Sequence, residues 1–215
     1  SALGRKAPRE DVVDAQVGYS SRWYELPEAV PEGQWWKVVW LDPAPPSQFL
    51  GGVLFPVEGG RCVVTLIGYS GHYPPSDEEG FERALHDVRS PVLASAVAQA
   101  RPISPVYSNR ALVNRMRRFD KLASPMAGFI AMSDSVCTFN PMFGQGMTVA
   151  TLCAAALEAT LGEVPAADAA FPAAFFKAQA ARIKDAWSLA TSADARFPAT
   201  KSYRPPPSRF QKLFG

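Results

Sequence analysis

Glu58-Gly59-Gly60 separates two apolar runs, Gly51–Val57 (GGVLFPV) and Arg61–Tyr69 (RCVVTLIGY). A short glycine turn between two such runs predicts an antiparallel hairpin, which commits its neighbours to the same sheet. Two extended segments precede it. Val12–Leu26 mixes Val, Tyr, Trp, Ser and Arg with no helical stripe and stops at Pro27; Gln34–Leu41 (QWWKVVWL) stops at the Pro43–Pro46 turn. Four successive antiparallel strands predict a meander in one broad sheet. Alternation along the second strand puts Trp36 and Trp40 on one face and Trp35 on the other, so these three indoles do not share one core.

The next residues change period. Ser76 before Asp77, Glu78 and Glu79 predicts an N-cap, an acidic first turn and a helix to about Val88. Pro91 at a first helical position predicts a short helix to about Ala100. Pro102–Asn109 and Ala111–Phe119 read as extended, and Gly128–Met132 (GFIAM) as a short buried strand. Phe139–Gly146 is a glycine-containing loop opening a helix of about Met147–Leu161. That helix is apolar nearly all round, with Glu158 its one charge, a pattern expected of a helix buried on every side. Ala166–Leu189 reads as an alanine-rich helix interrupted early at Pro172. The tail from Pro198 holds Pro205-Pro206-Pro207 and basic residues and reads as an arm without a core. The expectation is one domain, 1–198, of α+β class, with a mixed or antiparallel sheet covered on one side by helices, and a Pro-rich basic tail, 199–215.

With 47% hydrophobic and 20% charged residues, the chain of 215 residues can bury a core and is not of disordered type. A net charge of +2 gives no electrostatic case for a nucleic-acid partner. Cys62, Cys137 and Cys153 form no CxxC pair, and His72 and His86 stand far apart, so no metal site is expected. Buried, inert thiols, no apolar signal core in Ser1–Arg9 and no stretch long enough to span a bilayer point to a soluble cytoplasmic protein without a membrane partner. His72, in a loop, and Arg115, Arg117 and Arg118, on a strand edge, are expected at the solvent surface.

Ser133–Ala150 reads SDSVCTFNPMFGQGMTVA. An apolar segment leads into an aspartate, then a proline, then Gly-x-Gly at a helix start. Without side chains in the way, backbone N–H groups at Gly144–Gly146 can approach a ligand closely, and the helix N-terminus behind them favours an anion or a carbonyl oxygen. Asp134 fits two roles, a cap of the loop or an acceptor for a ligand hydroxyl. Gly144 and Gly146 likewise fit a ligand turn or a plain helix start.

This segment resembles the second flavin-binding motif of the FAD-dependent aromatic hydroxylases, the p-hydroxybenzoate hydroxylase-like family. There Gly-Asp is followed by Pro, Gly-Gln-Gly and a helix. The resemblance implies that Asp134 matches the aspartate on the ribityl chain, Pro141 the proline beside the isoalloxazine ring, and Gly144, Gln145 and Gly146 the turn facing the flavin pyrimidine. Gly18–Pro27 (GYSSRWYELP), Gly51–Arg61 and Asp77–Phe81 look like that family's substrate-domain sheet and lid helix, so the resemblance covers roughly Val12 to Pro198. Ser133 stands where the family has glycine. No Gly-x-Gly-x-x-Gly follows an N-terminal strand, and that fingerprint seats the FAD pyrophosphate in the family. The resemblance thus implies a hydroxylase-type fold without its Rossmann module, a vestigial flavin motif and no cofactor, with FAD as the alternative.

An aromatic-lined pocket without a redox group can still catalyse. Holding a flexible substrate in a reactive geometry is worth roughly 7–11 kcal/mol, and a hydrogen bond to a developing carbonyl oxyanion adds more. Proteins of this family type serve as cyclases, including [4+2] cyclases, in polyketide antibiotic biosynthesis. The first expectation is therefore a cofactor-independent cyclase acting on a linear polyketide. The second is part of a flavin-dependent monooxygenase whose FAD-binding module lies elsewhere, and the third a non-catalytic binding protein. The pocket is expected between the sheet and the Phe139–Met147 loop, lined by Tyr24, Trp40, Phe55, Thr65, Phe139, Met142 and Phe143, with Tyr69 and Tyr107 as catalytic hydrogen-bond donors. A homodimer covering the Met147–Leu161 helix completes the expectation.

Overall fold

In the computed structural model, residues 7–27 and 37–203 are described. They form two compact units. One comprises Ala15–Leu112 with Ala195–Thr200; the other comprises the chain up to Asp14, Val113–Asp194 and the chain from Lys201. Both combine antiparallel strands with helices, the α+β class expected.

The first unit is built on a meander. Strand β1 (Glu10–Glu25), which starts in the other unit, β2 (Val39–Leu41), β3 (Leu50–Val57) and β4 (Arg61–Gly68) stand in the order β2-β3-β4-β1. In the hairpin, Val57 pairs with Arg61 and Leu54 with Val64, and Gly59 and Gly60 take the positive φ values the turn requires. β1 pairs antiparallel with β4, Tyr24 opposite Cys62 and Ser20 opposite Leu66. A two-residue strand, β5 (Arg101–Pro102), adds to the end of β1. Gln16, at φ 49, breaks the alternation of β1: odd positions are buried up to Val17 and even positions from Gly18 onward.

One face of this sheet carries the core. Tyr24, Val39, Leu54, Cys62, Val64 and Leu66 pack with Phe81 and Leu85 from helix α1 (Glu78–Ala84) and Leu93 and Val97 from helix α2 (Val92–Val97). Leu66 and Leu93 are fully buried, and truncating either to Ala costs about 2–5 kcal/mol. A Cβ on Gly52 would stand 2.5 Å from Leu93 Cδ2, so α2 rests on bare backbone there. Arg22, buried on the same face, donates to Glu82 at 2.7 Å, pairs with Glu78 and reaches the Ser104 carbonyl at 3.1 Å, tying α1 to the sheet.

The second unit packs two long helices, α3 (Gln145–Glu163) and α4 (Phe171–Asp194), around Met116, Ala131, Val136 and Cys137. Strand β6 (Tyr107–Arg117), which starts in the first unit, pairs here with β7 (Cys137–Thr138), and β8 (Lys201–Tyr203) pairs with Val12–Asp14 of β1. Met116 and Cys137 are register partners that enter this core together. Among the described residues no helix is long and apolar enough to cross a membrane.

Several expectations are corrected. Asp77, not Ser76, caps α1: its Oδ1 accepts from the Gly80 N–H at 2.7 Å, and the helix ends at Ala84. Pro91 stands at the N-cap of α2 rather than inside it. Gly128–Met132 is not a strand. Pro172 does not interrupt α4; as its second residue it occupies a position whose N–H has no helical partner anyway. The two extended stretches after Pro102 merge into β5 and one long β6. α3 is not buried on every side: Val149, Cys153, Ala156 and Thr160 form one buried stripe, while Met147 is 84% exposed. Arg115 and Arg117 are not solvated singly; both pair with Glu10. His72 is exposed as expected and stacks on Phe49, ring centroids 4.5 Å apart. Trp35, Trp36, Gln34 and the tail from Arg204 lie outside the described residues.

Candidate functional site

The sheet of the first unit has a second face, away from its core. Register places Trp40 opposite Val53, Val53 opposite Thr65, Thr65 opposite Ser21, and Phe55 opposite Val63. All share that face with Tyr19 and Trp23 by the two-residue period of strands. Trp40 is 41% and Phe55 38% exposed, and their rings meet edge to face at 6.2 Å. The Trp40 indole N–H donates to Asp42 at 2.7 Å, which fixes the ring. Ser21 and Thr65 share a hydroxyl hydrogen bond of 2.7 Å. The result is an aromatic platform with a small hydroxyl pair, suited to a flat, largely apolar molecule. Ser108 hydrogen-bonds Ser20 on the core face, so alternation turns its neighbour Tyr107, 55% exposed, toward the platform face.

Tyr24 does not belong to that platform. It lies opposite Cys62 on the helix-covered face, is buried, and donates to Glu82 at 2.7 Å. Burial, then the Glu82 carboxylate, hold its phenol well above the ordinary value, so it is a structural donor. Tyr69, just beyond β4, is also buried; its ring stacks on Phe197 at 3.9 Å, and its N–H donates to the Phe49 carbonyl.

The second unit carries the glycine loop. Ser133 adopts φ 57, the left-handed region, and opens a single turn over Ser133–Ser135 that leaves Asp134 exposed. After β7, Asn140 caps another single turn, Pro141–Phe143, by accepting from the Met142 N–H at 3.3 Å. Gly144, at φ 60, then reverses the chain into α3. Among the described residues no side chain caps the α3 N-terminus, and a Cβ built on Gly144 or Gly146 meets nothing within 4 Å. The first-turn N–H groups therefore carry no side-chain cap and have the positive end of a 19-residue helix behind them. Of the expected lining residues, Met142 is buried, Phe139 packs half-buried with Trp187 at 6.5 Å, and Phe143 is half-buried.

Beneath this loop lies a group that sequence reasoning missed. The Asp194 carboxylate, at the end of α4, accepts from Asn114 Nδ2 at 2.7 Å and from Asn140 Nδ2 at 2.8 and 3.0 Å. Asn114 Oδ1 in turn accepts from the Asn140 N–H at 2.8 Å. All three side chains are buried. Burial raises Asp194 to about 6, the Asn140 and Asn114 donors pull the other way, and the Asp14 carboxylate adds to the rise. The one sequence signal was Asn140-Pro141, a good N-cap before a good first helical residue. Among the described residues no three His, Cys, Asp or Glu side chains converge as a metal site.

No protein-family model matches the chain. Solved structures do. The flavin-dependent brominase Bmp2 matches 88% of this chain with TM-score 0.62 at 13% identity, and this chain covers 48% of it. The myxobacterial chondrochloren halogenase CndH, a variant of the FAD-dependent halogenases, matches 88% with TM-score 0.64 at 13% identity, with 43% of that chain covered. Klebsiella pneumoniae HpxO, solved with FAD and uric acid, matches 88% with TM-score 0.54 at 19% identity, with 45% covered.

The fold is FAD-hydroxylase-like. The likeness takes in less than half of each of those chains. In sequence, the chain is 31% identical over 220 residues to protein Rv3254 of Mycobacterium tuberculosis (strain ATCC 25618 / H37Rv), a match that includes 99% of this chain. It spans 45% of that relative's length.

Proposed function

We propose that the chain is the substrate-binding part of a flavin-dependent oxidative enzyme of the hydroxylase and halogenase type. The observation that supports this most is the Ser133–Gly146 segment. Ser133, where the resembled family has glycine, takes a left-handed backbone, and beside the uncapped α3 N-terminus there is room at both Gly144 and Gly146. Non-glycine residues held in the left-handed region cluster at ligand-binding segments, which is what ties the backbone of Ser133 to the reading.

The residues fit the ring end of FAD. First-turn N–H groups from Gln145 to Met147 would meet a flavin carbonyl or the negative charge of a reduced ring, Asp134 would accept from a ribityl hydroxyl, and Pro141 would border the ring. The adenosine diphosphate half would be held by polypeptide outside this chain. Bound FAD supplies the oxidising chemistry; the chain's own part is to hold the substrate. Trp40, Phe55 and Tyr107 present aromatic surface to a flat substrate, and the Ser21 and Thr65 hydroxyls offer it a polar contact.

Riboflavin, which carries ring and ribityl chain without phosphate, tests this reading. Its fluorescence should be quenched on titration with the chain. Gly146→Leu, a change at a position with room for the side chain, should abolish the quenching without unfolding the protein. Absence of quenching, or equal quenching by the variant, contradicts the proposal. Ring closure of a linear polyene by the purified chain without oxygen or flavin would instead establish the cofactor-independent cyclase.

A further inference from the structure

In the second unit, Ala7, Arg9, Arg118, Lys121, Leu122, Ala123 and Ser124 line a cleft of about 380 Å³. Its charged groups are all cations. Arg9 and Lys121 are 49% and 63% exposed, and their carboxylate neighbours stand beyond hydrogen-bond reach, Asp11 at 3.9 Å and Asp120 at 3.8 Å. Arg118 spends its outer nitrogens on Asp120 at 2.8 Å and the Met116 sulfur at 3.0 Å, with Asp11 at 3.7 Å. Its Nε, sealed from solvent, has no acceptor among the described residues. Its backbone N–H donates to the Arg9 carbonyl at 2.8 Å, so the two cationic side chains are brought together by main-chain bonding. Three cations against two carboxylates leave the cleft positive.

Exposed donors on Arg9 and Lys121, gathered beside the charge of Arg118 at one cleft, call for an oxyanion. Three separate donor groups are matched better by the three free oxygens of a phosphate monoester than by the two of a carboxylate. A bare phosphate is too small for the cleft, whose volume lies in the range of small-molecule sites. Ala7, Leu122 and Ala123 add apolar wall. We infer that this cleft binds a phosphorylated small molecule, its phosphate on Arg9, Arg118 and Lys121 and its uncharged body against the apolar wall. The site shares no residue with the glycine loop or the aromatic platform.

Isothermal titration with phenyl phosphate, inorganic phosphate and benzoate at low salt tests the inference. Phenyl phosphate should bind more tightly than inorganic phosphate, which lacks the apolar body, and about tenfold or more tightly than benzoate. The double variant Arg9→Ala/Lys121→Ala should weaken phenyl phosphate at least about tenfold with an unchanged unfolding midpoint. A control removing the same charge from exposed positions on α4, Lys177→Ala/Lys184→Ala, should bind as the parent does. No binding of phenyl phosphate at millimolar concentration, undiminished binding by the cleft variant, or equal loss in the control overturns the inference. Because riboflavin carries no phosphate, its result stands apart from this one.

Discussion

Asn140 donates from its side-chain amide to both carboxylate oxygens of Asp194, at 2.8 and 3.0 Å, across a sequence separation of 54. The same asparagine caps the Pro141–Phe143 turn, so the position of the glycine loop is fixed to the last residue of α4. Asn114 closes the arrangement by serving both partners. The loop that carries the proposed flavin contacts thus rests on a buried polar group rather than on apolar packing alone.

Asp194→Ala removes the acceptor on which both amides depend. Each buried donor left without a partner costs about 1–3 kcal/mol. The variant should therefore unfold at clearly lower urea than the parent, and the conservative Asp194→Asn should recover part of the loss. Equal midpoints for Asp194→Ala and the parent would show that the arrangement contributes nothing.

Asp194 also gives stability a pH dependence of known sign. Its folded value of about 6 lies above the ordinary 3.8, so between these values the folded chain binds more protons than the unfolded one. This carboxylate's contribution to stability therefore grows as pH falls from 6 toward 4 and declines as pH rises through that window, by an amount on the order of 1–3 kcal/mol. Urea melts at pH 4, 5, 6 and 7 should show the parent gaining on Asp194→Asn toward acid. Parallel profiles would contradict the assignment.

Ser133 holds a left-handed backbone at φ 57 without being glycine. Such a residue costs about 1–2 kcal/mol. Ser133→Gly should raise the melting temperature by about 2–4 °C, the shift expected of about 1 kcal/mol in a chain this size. Ser133→Val, branched at Cβ, should lower it. A glycine variant no more stable than the parent would mean that the serine is unstrained.

The hairpin was legible because its cause is local: Gly59 and Gly60 supply the turn, and the flanking runs supply the strands. The acidic first turn of α1 and the breadth of the glycine loop were legible for the same reason. Gly128–Met132 was misread because an apolar run does not show whether it has a pairing partner. Here the Ala131 carbonyl accepts from the Gln179 side chain of α4 at 3.1 Å, not from a neighbouring strand. Tyr24 was misplaced because alternation fixes faces only within one strand. Register against Cys62, and the break at Gln16, decide which face is the core. Asp194 carried no local signal, since its partners are 54 and 80 residues away.

The central claim is that the α3 N-terminus and the turn before it meet a flavin ring. Amide chemical-shift mapping of the isotope-labelled chain during titration with riboflavin tests it most directly. The account predicts concentration-dependent shifts centred on Asp134, Gly144, Gln145, Gly146 and Met147, absent in Gly146→Leu. Shifts confined to other residues, or none at saturating riboflavin, would contradict it.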